Sequence, residues 1–211
     1  FGGYQHYNRL LWRQKNIDWL NVNIRKFLSD FSTTYLPIGF KGRNWLSSMD
    51  CNLNEDLPQI ANFFNRHERR ELIAKSIQPA IAEDLWKEIT PRENDLINRA
   101  TRMDFHNYLT EDILVKVDRA SMLNSLEIRS PILDHKIIEF AYGKIPSNYK
   151  INMKQRKILL KSLSQKILPA DFDFNRKQGF SIPLKEWLKS GPWRDFFHDV
   201  LYDNKSIFDK V

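Results

Sequence analysis

Residues 104–122 read Asp104-Phe105-His106-Asn107-Tyr108-Leu109-Thr110-Glu111-Asp112-Ile113-Leu114-Val115-Lys116-Val117-Asp118-Arg119-Ala120-Ser121-Met122, and the apolar run continues through Leu123 to Leu126. A helix is expected to open at Thr110, a good N-cap residue. Glu111 and Asp112 then place negative charge at the positive end of the helix dipole, worth about 0.3–1 kcal/mol each. Beyond them, Ile113, Leu114, Val115, Val117, Ala120, Met122, Leu123 and Leu126 put apolar groups on nearly every side. That pattern predicts a helix buried at the centre of a domain. Three charges interrupt it. Lys116 has the i,i+4 spacing to pair with Asp112, whereas Asp118 and Arg119 must find partners or face a polar cavity.

Outward from this stretch, the apolar residues keep a period near 3.6 and almost never alternate in twos, so the chain is read as mainly α. Helices are expected over 19–31, 58–73, 81–89, 95–108, 111–126, 135–142, 154–167, 184–189 and 193–201. Between them, Leu36-Pro37-Ile38-Gly39-Phe40-Lys41-Gly42 carries a Pro and two Gly, which predicts a loop separating an N-terminal helical hairpin from the rest. Pro131 biases Ser130 out of helical geometry and ends the central helix before it. Asp134 is placed to cap the next one.

At 211 residues the chain is long enough to bury a core, and it is expected to form part of a single domain, residues 1–211. Its 42% hydrophobic content excludes a disordered tail. The lone Cys51 can form neither an internal disulfide nor a multi-Cys zinc site, which points to the cytoplasm. No stretch reaches the ~20 apolar residues of a membrane helix, so no membrane partner is expected. The opening Phe1-Gly2-Gly3-Tyr4 lacks a Met and starts inside a glycine turn, as a piece cut from a longer protein would.

The net charge of +7 is compatible with nucleic acid, an anionic small molecule or a solvated basic surface. It is dispersed, and the lysines at 154, 157 and 161 form a stripe without interleaved aromatics. They are read as the solvated face of an amphipathic helix, and no nucleic-acid partner is expected. The histidines at 6, 67, 106, 135 and 198 have no metal-ligand spacing, and none is assigned to a metal.

Two further stretches join the first: Leu126-Glu127-Ile128-Arg129-Ser130-Pro131-Ile132-Leu133-Asp134-His135 and Lys177-Gln178-Gly179-Phe180-Ser181-Ile182-Pro183-Leu184-Lys185-Glu186-Trp187. In this order and at these separations, the three resemble the synthetase domain of the glutamine-hydrolysing asparagine synthetase family. That family has the patterns D-x-x-x-Y-L-x-x-D-x-L-x-K-x-D-R-x-S-M, L-E-x-R-x-P-x-L-D-H and K-x-G-F-x-x-P-x-x-x-W. Phe1-Gly2-Gly3-Tyr4 resembles the end of the family element S-G-x-G-[AS]-D-E-x-F-G-G-Y. One departure is Asn175, where many members carry Arg; here the arginine is Arg176.

The resemblance implies the helical C-terminal half of an α/β domain of the ATP-pyrophosphatase type, the adenine nucleotide α-hydrolase-like fold. It implies an ATP-dependent carbon–nitrogen ligase that adenylates the aspartate side-chain carboxylate, with Mg2+ accompanying ATP. Ammonia from glutamine, released by a glutaminase domain of the same parent chain, then gives asparagine, AMP and pyrophosphate. Neither a terminal Cys nucleophile nor an S-G-G-x-D-S phosphate loop occurs in these 211 residues. The isolated chain is therefore expected to be inactive, and an oligomer is left open. The matching lysine is Lys177, with Arg176 as a second cation and Gly179 allowing close backbone approach; fixed positive charge there would suit a developing pyrophosphate. Glu127 and Arg129 are read as a supporting pair, bonded to each other or to Asp118 and Arg119, with a general-base role for Glu127 as the rarer alternative. Relatives of this kind amidate or cyclise other carboxylates in polysaccharide or natural-product pathways. A non-catalytic basic helical binding module is the remaining rival.

Overall fold

The computed structural model describes residues 2–37, 39–58, 81–174 and 182–202, with backbone only over 81–84. The helix expected over 58–73 lies outside the described residues, save its first position. The chain divides into two compact units, Phe1–Pro169 and Ala170–Val211. Among the described residues all regular structure is helical, apart from one isolated antiparallel bridge between Ile151 and Arg156. No described helix is long and apolar enough to cross a membrane.

In the first unit the helices are α1 (Gln5–Asn16), α2 (Val22–Tyr35), α3 (Arg43–Leu46), α4 (Ile81–Ile89), α5 (Leu96–Asp104), α6 (Val115–Met122), α7 (His135–Gly143), α8 (Ser147–Lys150) and α9 (Ile158–Ile167). A π-helical segment, Phe105–Leu114, runs from α5 directly into α6. A 3-10 turn, Pro131–Leu133, precedes α7. The second unit holds α10 (Leu184–Trp187) and α11 (Pro192–Tyr202).

Local signals account for most of these ends. Asn21 caps α2 through Asn23 N, Asp95 caps α5 through Asn98 N, and Asp134 caps α7 through Lys136 N, as its position predicts. Three expectations need correction. α1 is absent from the expected helices although Tyr7, Leu10 and Leu11 keep the helix period, and α2 begins after Asn21, not at Trp19. The stretch 152–157 is a turn, in which Asn152 Oδ1 accepts from Lys154 N and Gln155 N, so Lys154 and Lys157 precede α9 and only Lys161 lies on it. Thr110 is not an N-cap. The helix from Leu96 to Met122 is continuous, and the Thr110 hydroxyl donates back to the His106 carbonyl at 2.8 Å, the bonding that Thr adopts inside a helix.

The core forms where α1 and α5 pack together. Tyr7 and Leu10 on α1 share a face at i,i+3, and Leu96, Ala100 and Met103 on α5 share one at i, i+4 and i+7. Leu53, from the segment after α3, fills the space between and is fully buried. Arginines tie that segment down. Arg13 is 1% exposed and donates to the carbonyls of Ser48 (2.8 Å), Met49 (3.2 Å) and Cys51, and to Asp18 at 3.2 Å. Arg99, equally buried, donates to Leu53 O at 2.6 Å, and Arg43 reaches Leu36 O and Thr33 O across the expected Pro/Gly loop.

The central helix is not buried as its composition predicts. Of α6 only Ser121 is buried, whereas Met122 is 61% exposed and Leu123 87%, with Leu126 and Ile128 exposed beyond them. The physical reason is that few described elements pack on it: its main neighbour is the π segment it continues. It also stops at Met122, four residues earlier than expected, because Ser125 turns to φ +55° and Leu126 N closes back on Ser121 O.

Candidate functional site

The N-terminal turn, the α5–π junction and α7–α8 converge on a cavity of about 210 Å³. Two glycines bring the turn in. Gly2 has φ +67°, and a Cβ there would lie 2.8 Å from Ile151 Cδ1; a Cβ on Gly3 would lie 2.6 Å from Lys157 Cε. At Gly2 the left-handed φ favours glycine, whereas at Gly3 the Lys157 side chain would have to move aside for a Cβ. Tyr4, Tyr7, Asp104, Tyr108, Tyr142 and Lys150 supply the polar groups of the wall, and Ile113, Ile132 and Leu133 make much of the rest apolar.

Asp104 is the carboxylate of the cavity wall. Its Oδ2 accepts from the Tyr7 hydroxyl and lies 3.1 Å from His6 Nε2, so two α1 side chains hold it from 97 and 98 residues away. Tyr4 packs edge-on against Tyr108 with ring centres 5.6 Å apart. Burial pushes the Tyr4 phenol up to about 12, with the adjacent Tyr108 adding to it. Burial first, then the Asp104 charge, drives Tyr7 higher still. Tyr142, also raised by burial, donates to Thr101 O at 2.9 Å. These phenols are protonated at neutral pH, so they act as hydrogen-bond donors and not as bases.

Lys150 is the cation of the wall. It is 2% exposed, donates to Asn98 Oδ1 at 2.6 Å and sits 4.9 Å from the centre of the Tyr142 ring. Burial lowers its pKa from the ordinary lysine value.

The π segment shapes this wall. Its i→i+5 hydrogen bonding widens the turn and shifts the side chains that follow relative to an α-helix, and such segments concentrate at functional sites. Here it carries Phe105, Tyr108, Leu109 and Ile113 into the cavity.

Among the residues that the motifs single out, the structure places some and leaves others outside. Asp118 and Arg119 lie exposed on α6, away from the cavity wall. Glu127 and Arg129 are exposed and pair with each other, one of the pairings expected for them. Asp112 and Lys116 pair at 3.5 Å on the surface. Arg176, Lys177 and Gly179 lie outside the described residues. Sequence reasoning misses Tyr7, Tyr142 and Lys150; Gly2, Gly3 and Tyr4 stand in the opening family element, and Asp104 and Tyr108 open the first long motif four residues apart.

Among the described residues no three His, Cys, Asp or Glu side chains stand together as metal ligands. The cavity, with one carboxylate beside one lysine, does not fit a Mg2+ ion by itself, since that ion needs several oxygen ligands.

Comparison with known proteins places the site in context. The family model described as asparagine synthase matches residues 1–210. Asparagine synthetase [glutamine-hydrolyzing] 1 of Bacillus subtilis is 29% identical over 193 residues, covering 90% of this chain and 30% of that protein. A Mycobacterium tuberculosis protein that carries the asparagine synthetase name provisionally is 30% identical over 193 residues, with 90% and 29% covered. The third asparagine synthetase of B. subtilis is 29% identical over 123 residues, covering 53% of this chain and 20% of that protein. The chain thus spans about 30% of the length of the curated relatives it matches. No solved structure matches. A family match over nearly the whole length agrees with three motifs in order and with a cavity built on the first of them: this chain belongs to the asparagine synthase family.

Proposed function

We propose that the full-length protein carrying this chain is an ATP-dependent amidotransferase that converts aspartate to asparagine. An oxygen of the aspartate side-chain carboxylate attacks the α-phosphorus of ATP, and the bond to pyrophosphate breaks to leave a β-aspartyl adenylate. Ammonia then attacks the acyl carbon, and AMP departs with the former carboxylate oxygen. The ammonia would come from glutamine, at a glutaminase domain of the parent chain. Lys177, with Arg176 beside it, would stabilise the charge that develops on pyrophosphate, and Gly179 would let the backbone close on the phosphates. Asp118, Arg119, Glu127 and Arg129 would support the site from the end of the central helix. Mg2+ would enter as the ion that accompanies ATP.

The observation that carries this reading is the family match over residues 1–210 together with the Lys177-Gln178-Gly179-Phe180 string. The test is Lys177→Ala in the full-length protein, measured as aspartate-dependent pyrophosphate release with ammonia as nitrogen donor. Losing one preorganised charge contact in a catalytic site costs about 2.7–4 kcal/mol, or about a hundred- to thousandfold in rate. Glutaminase activity should survive. Wild-type rates in the variant would return Lys177 to the solvated surface.

A second reading has one observation in its favour. The cavity wall from Ile113, Ile132 and Leu133 is more apolar than aspartate alone requires, which would suit amidation or cyclisation of a less polar carboxylate. The same pyrophosphate assay over a set of carboxylates separates the two.

A further inference from the structure

Lys150 is a buried cation that forms no ion pair among the described residues, Asp95 and Glu93 acting on its charge only from beyond pairing distance. It is 2% exposed, and among the described residues no carboxylate oxygen pairs with it. An ammonium has three N–H donors. One is used by Asn98 Oδ1 at 2.6 Å, and the Tyr142 ring centre lies 4.9 Å from the nitrogen. A neutral amide and a ring face compensate a buried charge incompletely, because desolvation of an ion is recovered in full only by an ion partner with good geometry.

This lysine sits in the wall of a cavity, where a partner could enter. The cavity is smaller than the about 300–1,000 Å³ of pockets for larger ligands, so its occupant is small. Asp104 lines the same cavity with the opposite charge; its Oδ2 is held by Tyr7 and His6. A space with one fixed cation, one fixed carboxylate and apolar walls between matches a small amino acid, whose ammonium group can face Asp104, better than a phosphate or a carboxylate that carries no ammonium group.

We infer that Lys150 is a specificity-determining residue that reads the α-carboxylate of an α-amino-acid acceptor, with Asp104 supplying the opposite charge for its ammonium group. The inference rests on the proposed function for the identity of the acceptor but not for its test. Burial lowers the pKa of Lys150, and an arriving carboxylate offsets that penalty by favouring the charged form.

The experiment is calorimetric titration of the full-length protein with L-aspartate and with L-aspartic acid α-amide, which lacks only the α-carboxylate charge. It needs no turnover, so a protein that binds aspartate but releases no pyrophosphate refutes the proposed function and leaves Lys150 to be judged alone. Wild-type protein should bind aspartate about tenfold or more tighter than the α-amide, the size of one charge-assisted hydrogen bond. Lys150→Met should lose that preference while keeping its melting midpoint, since an apolar residue of similar volume removes a costly buried charge. Lys150→Gln, which keeps an N–H for Asn98, is measured beside it. A preference that persists in either folded variant, or is missing in the wild type, overturns the inference. Unfolding of both variants overturns it too, and makes Lys150 a structural residue.

Discussion

Replacing Arg13 by alanine should lower the stability of the protein by about 3–5 kcal/mol, the cost of removing one partner from a buried charged network. Arg13 is 1% exposed and holds the carbonyls of Ser48, Met49 and Cys51 as well as Asp18. Hydrogen bonds to charged groups contribute about 1.5–3 kcal/mol each, so four of them set a gross value above that range. Two acceptors keep a second partner, because Arg25 reaches both Asp18 (3.4 Å) and Cys51 O (3.3 Å), which brings the net loss down. In a chain of this size each kcal/mol moves the melting midpoint by about 2–4 °C, so the expected fall is about 6–20 °C. Arg13→Lys should recover only part of it, since a single ammonium cannot reach acceptors spread over three carbonyls as a guanidinium fork does. The assay is scanning calorimetry, with Lys15→Ala, an exposed change on the same helix, as control. An Arg13→Ala midpoint equal to that of the control would refute the idea that this arginine fastens the segment after α3.

Tyr7→Phe removes one of two partners of Asp104 and should cost about 1–3 kcal/mol, seen as a lower midpoint in the same calorimeter; no change would mean that His6 alone suffices. Cys51 is partly buried and its thiol is pushed up to about 12, so iodoacetamide should label it at neutral pH only after denaturation, as read by mass spectrometry. The same shift bears on alkaline stability. A thiol raised from 9.0 to about 12, and a Tyr4 phenol raised from 10.0 to about 12, contribute stability that is complete below those starting values and lost as pH climbs through the window. Lys150, lowered from 10.5, works in the opposite direction. Melting midpoints should therefore fall above pH 9.0, and Cys51→Ala should flatten the first part of the fall. Finally, Met122, Leu123, Leu126 and Ile128 are more than half exposed, so the 211-residue chain should enhance the fluorescence of an apolar dye. Charged substitutions at Leu123 and Leu126 together should reduce that signal.

The features legible in the chain alone are those that act over three or four residues. Asp95 and Asp134 cap their helices because a carboxylate can reach a backbone N–H two or three positions on, and Lys116 meets Asp112 because one helical turn separates them. Membership of the asparagine synthase family was legible for a related reason, since the motifs are runs of neighbouring residues. Local logic also misled. A Thr before two acidic residues looks like a helix start, yet the helix was already running, and nothing within a few residues of Thr110 marks the π segment that carries it. Composition predicted burial for residues 113–126, but burial depends on which elements pack there. The cavity depends on long-range contacts: Asp104 is held from 97 and 98 residues away, Lys150 meets Asn98 across 52, and Gly2 approaches Ile151. Such pairings leave no periodic trace, because a hydrogen bond or a close contact constrains two positions in space while sequence patterns record only one element at a time.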